Sequence, residues 1–226
     1  MPRIARATAV QYPHHLTQRG NNRAGTFFEV DDFQFYLEIL KKYAERYMFD
    51  IWAYCLMSNH VHILVVPKKE DSLARGIGGT NLIYTQYINR KYNRSGRLWQ
   101  NRFFSAIIDT NIYLWAVASY IERNPLRAEL VQKADAYKWS SCRAHMHGEV
   151  NRYLSGAEWL QESDRSEYRK LLQNENEAAV IAIRKATSTG RPLGGTNFIK
   201  HLEKKLDRSL TANTVGRPLK QKEIAK

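Results

Sequence analysis

Cysteine is almost missing from this chain: 226 residues include only Cys55 and Cys142, far apart and in no C-x-x-C pair. That excludes a zinc ribbon and a disulfide scaffold, and it fits a reducing cytoplasm. Long apolar runs are missing as well. No stretch approaches the ~20 apolar residues that a membrane span needs. The opening Met1-Pro-Arg-Ile-Ala-Arg6 has no apolar segment of the signal-peptide kind. A membrane partner is therefore not expected. Acidic residues are absent over one long stretch: the 37 residues from Ser72 to Ile108 contain none, although the whole chain has 22.

What is present points one way. There are 35 Lys and Arg residues, giving a net charge of +13, which suits a polyanionic partner such as nucleic acid. With 43% hydrophobic and 12% aromatic residues the chain can bury a real core, as one domain plus an appendage. The acid-free stretch carries Arg75, Arg90, Lys91, Arg94, Arg97 and Arg102, interleaved with Tyr84, Tyr87, Tyr92, Trp99, Phe103 and Phe104. Cationic side chains neutralise phosphates and aromatic faces stack on unpaired bases. The individual aromatics serve equally well as core residues, so it is the acid-free run that carries this reading.

Periodicity predicts an order of elements. His14 to Gly20 reads as a strand. Phe33, Tyr36, Leu37, Leu40, Ala44 and Tyr47 recur at helical spacing after Asp31-Asp32. Phe49 to Met57 and His60 to Val66 read as a hairpin joined at Ser58-Asn59 and stopped by Pro67. A helix follows from Asp71-Ser72 to about Tyr92, weakened by Gly76, Gly78 and Gly79. Leu98 to Ile108 reads as a strand, and a helix capped by Asp109-Thr110 runs to Asn124 and stops at Pro125. This order suits an α+β fold, a ferredoxin-like antiparallel sheet with helices on one face. Residues 1–150 form the expected catalytic unit, 151–183 a helical extension and 184–226 a basic tail. The tail holds 11 basic and 3 acidic residues, with Gly190-Arg-Pro192 and Gly216-Arg-Pro218, and reads as an extended or partly ordered arm with one short helix from Asn197 to Leu206.

The chemistry concentrates in Met57-Ser-Asn-His-Val-His62. His60 and His62 are two apart on a strand, so both imidazoles face the same side, which is half of a divalent metal site. Taken alone, the pair also reads as two satisfied histidines of a packed strand. In the later helix, Tyr120 and Asn124 stand four apart on one face. An amide oxygen from Asn124 can complete the metal site, and the Tyr120 phenol can attack an electrophile held there. Tyr120 on its own reads equally as a packed helix residue.

Five segments occur in fixed order: His14-His-Leu-Thr-Gln-Arg-Gly-Asn-Asn-Arg23, Met57-Ser-Asn-His-Val-His62, Tyr87-Ile-Asn-Arg-Lys-Tyr92, Ser95-Gly-Arg-Leu-Trp-Gln-Asn-Arg-Phe103 and Tyr120-Ile-Glu-Arg-Asn-Pro-Leu-Arg127. Over roughly residues 5–150 the chain resembles the single-tyrosine HUH transposases of the IS200/IS605 type, and within them the REP-associated tyrosine transposases. The resemblance implies an HUH nuclease fold with His60 and His62 as ligands of Mg²⁺ or Mn²⁺, Tyr120 as nucleophile, and Asn124 where many relatives place a glutamine ligand. It also implies cleavage and rejoining of single-stranded DNA beside REP-like hairpins, through a 5′-phosphotyrosine link, in a nucleoid-associated cytoplasmic protein. Arg19, Arg90, Lys91, Arg94, Arg97, Arg102, Arg191 and Arg217 are the expected DNA contacts. Three other readings stand beside it. A hairpin-binding regulator with a vestigial site would use the same basic surface. A relaxase is disfavoured because Ala116 and Asn124, rather than a second tyrosine or a lysine, lie one turn from Tyr120. A zinc hydrolase lacks a third ligand at customary spacing. Whether the chain forms a homodimer is left open.

Overall fold

The computed structural model describes residues 7–156 and 159–211. Its elements are β1 (His14–Arg19), α1 (Val30–Tyr47), β2 (Phe49–Met57), β3 (His60–Pro67), α2 (Ser72–Lys91), β4 (Phe104–Ile107), α3 (Leu114–Glu122), the single turn α4 (Asn124–Arg127), α5 (Cys142–His147), α6 (Arg165–Gln173), α7 (Glu177–Thr189) and α8 (Thr196–Leu206). The strands form one antiparallel sheet in the order β2-β3-β1-β4. That is the ferredoxin-like arrangement expected from the order of elements.

The sheet separates two cores. On one face Leu16, Ile51, Leu56, Val61, Ile63 and Val65 meet Tyr36, Leu40, Tyr84 and Ile88 of α1 and α2. On the other, Ala53, Cys55, Met57, Leu64 and Ala106 meet Val117 and Ile121 of α3, with Tyr168 and Leu172 of α6 and Ile183 of α7. Helices on one face only were expected, and the structure corrects this. The central strand β3 is apolar at both alternating sets of positions, so both faces need cover. The C-terminal helices supply it. A bulge at Trp52, between the pairs Ile51–Val65 and Ala53–Leu64, resets which β2 side chains face each core.

Three further expectations change. The strand expected over 98–108 is ordered as β4 only at Phe104–Ile107. Earlier in that segment Trp99 bridges Gly20 and buries its ring against Tyr36 and Tyr84, so packing overrides strand continuation. The helix expected from Asp109 to Asn124 begins only at Leu114, and Pro125 does not stop the chain. It occupies the first turn of α4, where its missing N–H costs nothing. Much of the tail also packs on the sheet. The boundary expected at 183 falls inside α7, Leu193 bridges Ile108 in parallel, and α8 nearly coincides with the short helix predicted there.

α3 is anchored by a buried carboxylate. Glu122 accepts hydrogen bonds from the hydroxyls of Ser141 (2.5 Å) and Tyr168 (2.8 Å) and pairs with His145 Nδ1 at 2.6 Å, tying α3 to α5 and α6. A second buried carboxylate, Asp32 at the third position of α1, accepts from Lys91 Nζ (2.8 Å), Tyr92 Oη (2.8 Å) and the backbone N–H groups of Phe28 (2.9 Å) and Glu29 (3.1 Å). It joins α1 to the end of α2.

A Cβ on Gly76 would lie 2.3 Å from the buried Phe49 ring, whereas one on Gly78 meets nothing within 4 Å. Gly76→Ala should therefore destabilise the chain by ~1–3 kcal/mol through overpacking, and Gly78→Ala should stabilise it by ~0.5–1 kcal/mol, both read by urea denaturation. For Asp32, burial alone would raise the carboxyl pKa, but the hydrogen bonds from Lys91, Phe28, Tyr92 and Glu29 outweigh it and hold it below the ordinary 3.8. Its stabilisation is thus complete above the unfolded value and is lost as pH falls through the lower folded one. Denaturation curves of the unaltered chain and Asp32→Asn should be well separated at neutral pH and converge as pH falls through the lowered folded value.

Candidate active site

β3 opens at His60, directly after the two-residue turn, and its period of two puts His60 and His62 on the α3 side of the sheet with ring centroids 5.1 Å apart. Each ring is oriented through Nδ1. Asn59 donates its amide Nδ2 to the Arg23 carbonyl (2.9 Å), so its Oδ1 is the atom that faces His60 Nδ1, at 2.6 Å. His62 Nδ1 meets His15 Nε2 at 2.9 Å, across the register that sets Thr17 opposite His62. Both ligand candidates therefore keep Nε2 for another partner.

Protonation agrees with that role. Burial, and then the Arg19 charge, lowers the His60 pKa to about 4. Burial pushes His62 well below its usual value, helped by His15, His60, Arg127 and Arg19. His15 falls to about 3, chiefly through burial and then Arg127. All three are neutral at physiological pH, the form in which imidazole binds a metal.

Tyr120 of α3 approaches from the other side. Its ring sits edge-on to His62 and to His15, each with centroids 5.8 Å apart. The residue is 8% exposed. The Arg127 guanidinium lies 4.1 Å from the centre of the Tyr120 ring, donates to the Tyr120 carbonyl at 2.5 Å and is braced by Glu175. A fixed positive charge thus packs over the Tyr120 ring and helps hold it in place.

Asn124 is nearby but partly committed. Its Nδ2 donates to the carbonyls of Tyr120 (3.2 Å) and Ile121 (2.9 Å), capping the end of α3. Its carbonyl oxygen is the only atom of that side chain that can serve a cation. Among the described residues no group of three or more His, Cys, Asp or Glu side chains could hold a metal. A cation at His60 and His62 would therefore complete its shell with oxygen from an amide, water or phosphate. Such an open N,N,O set would suit a labile divalent cation shared with a phosphate better than a closed structural site.

The expected DNA contacts separate. Arg97 and Arg102 line an open cleft of about 610 Å³ with Trp99, Gln18 and Asn81. Arg94 lies over the Phe28 ring at 5.7 Å, and Arg90 is exposed on α2. Lys91 is instead an internal partner, held by Asp32 at 2.8 Å and Glu29 at 3.1 Å. Arg191 is half-buried, with its Nε fully enclosed and lacking a hydrogen bond. Arg217 lies outside the described residues.

Sequence reasoning missed His15, Asn59, Arg127 and Thr187. The first three lie inside the quoted segments, and Arg127 falls seven residues after Tyr120, two helical turns on. His15 could be found only by knowing how β1 registers against β3. Thr187 had no signal, because its contact with His15 spans 172 residues.

A family model described as Transposase IS200 like matches residues 8–124. A Haemophilus influenzae protein named as a REP-associated tyrosine transposase is 26% identical over 120 residues, covering 49% of this chain and 68% of that protein. Among solved structures, a REP-associated tyrosine transposase bound to a REP hairpin superposes with a TM-score of 0.53 at 17% identity, covering 69% of this chain and 92% of that one. The match reaches from the first strand through His60, His62 and Tyr120 to Asn124, and on that ground the chain belongs to the IS200-like transposase family, with likeness to its REP-associated members.

Proposed function

We propose that this chain cuts and rejoins single-stranded DNA beside a REP-type hairpin by transesterification, as a nucleoid-associated cytoplasmic enzyme. One observation carries the reading: the Tyr120 ring packs edge-on against His62, while His60 and His62 are neutral and keep Nε2 open. The solved relative that shares this fold holds a REP hairpin, which supports the same class of substrate here.

The residues divide the work. His60 and His62, with the Asn124 carbonyl oxygen as third donor, would hold Mg²⁺ or Mn²⁺. When bound, such a cation supplies positive charge at the phosphoryl oxygens, stabilising the transition state by several kcal/mol. Tyr120 Oη attacks phosphorus, forming the Oη–P bond as the bond from phosphorus to the 3′-oxygen breaks. The phenolic proton ends, net, on that 3′-oxygen, leaving a 5′-phosphotyrosine and a free 3′-hydroxyl. The covalent link preserves the phosphodiester energy, so a second 3′-hydroxyl can reverse the step without ATP. Arg127, packed over the phenol ring and bonded to the Tyr120 carbonyl, would hold the nucleophile in position. Arg97 and Arg102 would neutralise phosphates along the cleft that they line.

Two measurements check this. On a labelled hairpin oligonucleotide with Mn²⁺, Tyr120→Phe should reduce covalent adduct by at least ~10³-fold while leaving hairpin affinity within about twofold. An undiminished adduct would refute the nucleophile, and chelator-insensitive binding with no adduct from the unaltered chain would favour a hairpin-binding regulator. Separately, Arg97→Ala and Arg102→Ala should each flatten the slope of log affinity against log salt by about 1 if each neutralises one phosphate. Unchanged slopes would remove the cleft from the DNA path.

A further inference from the structure

The geometry points to Thr187 of α7 as a positioning residue for the metal site: acting through His15, it fixes His62 in the tautomer whose Nε2 faces the cation. This rests on the metal role proposed above for His62.

The direction of each hydrogen bond follows from what its atoms can do. Thr187 Oγ1 lies 2.8 Å from the Ile183 carbonyl oxygen, which only accepts, so the single hydroxyl proton goes there. His15 Nδ1 lies 2.9 Å from the same hydroxyl oxygen and must be the donor. Neutral His15 then has a bare Nε2, which accepts from His62 Nδ1–H at 2.9 Å. Neutral His62, with its proton on Nδ1, presents a lone pair at Nε2. Reversing the relay would place a proton on His62 Nε2, the atom required for ligation. His15 is 1% exposed and Thr187 8%, so bulk water does not readily replace a lost partner.

His60 is fixed differently. Asn59, anchored on the Arg23 carbonyl, does the same job within the turn beside it. The two ligands thus have independent supports, one local and one reaching to a helix outside the matched 8–124 segment. Support of this kind commonly changes metal affinity by 10–100-fold. α7 is in this account part of the active site and not only a cover for the sheet.

The test pairs two near-isosteric changes. Thr187→Val keeps the shape and removes the hydroxyl, whereas Thr187→Ser keeps the hydroxyl and removes a methyl. Long-range ¹H–¹⁵N spectra of the metal-free, histidine-labelled chain report the tautomer directly. The unaltered chain and Thr187→Ser should show His62 with its proton on Nδ1. Thr187→Val, leaving His15 Nδ1–H without an acceptor, should move the His62 proton to Nε2 and weaken Mn²⁺ binding by about tenfold or more in calorimetric titration. Retention of the Nδ1 tautomer and of Mn²⁺ affinity within about twofold in Thr187→Val would overturn the relay, as would a larger loss in Thr187→Ser than in Thr187→Val, the order expected from packing alone. If the unaltered chain shows the Nδ1 tautomer yet binds no Mn²⁺, the metal reading of the site fails, and with it the purpose assigned to the relay.

Discussion

The register between β1 and β3 is the constraint on which the site depends. Setting Thr17 opposite His62 brings His15 Nε2 to 2.9 Å from His62 Nδ1, and it puts both rings on the side that faces α3. A slip of one residue would turn His15 toward the α1 and α2 core and leave His62 Nδ1 without its partner. That register is itself set by burial. Leu16, Val61, Ile63 and Val65 fill one core while Leu64 fills the other, so no neighbouring alignment satisfies both. The packing that stabilises the sheet and the geometry that prepares the ligands are the same set of contacts.

The electrostatics follow from that burial. Three histidines lie together near Arg19 and Arg127 in a chain already carrying +13, an environment that opposes further positive charge on the rings. They remain neutral, and the site attracts anions. In the proposed reaction His60 and His62 would offer their lone pairs to a divalent cation, and Arg19 and Arg127 would answer the charge of the scissile phosphate. Glu175 keeps Arg127 in place over Tyr120, and Glu122 secures the helix that carries the phenol.

Much of this was legible in the chain, for identifiable reasons. The β2–β3 hairpin was visible because its apolar period is regular and Pro67 marks its end, and α8 because Asn197 to Leu206 stands out as a short helical stretch in the tail. The pair His60 and His62 followed from the strand period alone. Residues 151–183 read as helical, but their place as a second layer on the sheet was not legible, because their few apolar residues, Tyr168, Leu172, Val180 and Ile183, suffice for a core only when the sheet supplies the other side. Asn124 as cap, Lys91 as partner of Asp32, and Thr187 as support for His15 all depend on contacts between distant segments, which no local pattern encodes.

The central claim is convergence: the imidazoles of β3 and the phenol of α3 serve one cation. Paramagnetic broadening tests it directly. With ring-labelled tyrosines and substoichiometric Mn²⁺, the account predicts that Tyr120 broadens first and selectively, while Tyr36 and Tyr84, on the opposite face of the sheet, stay sharp, and that His60→Ala abolishes the effect. A Tyr120 signal as insensitive to Mn²⁺ as those two, with the metal demonstrably bound, would contradict it.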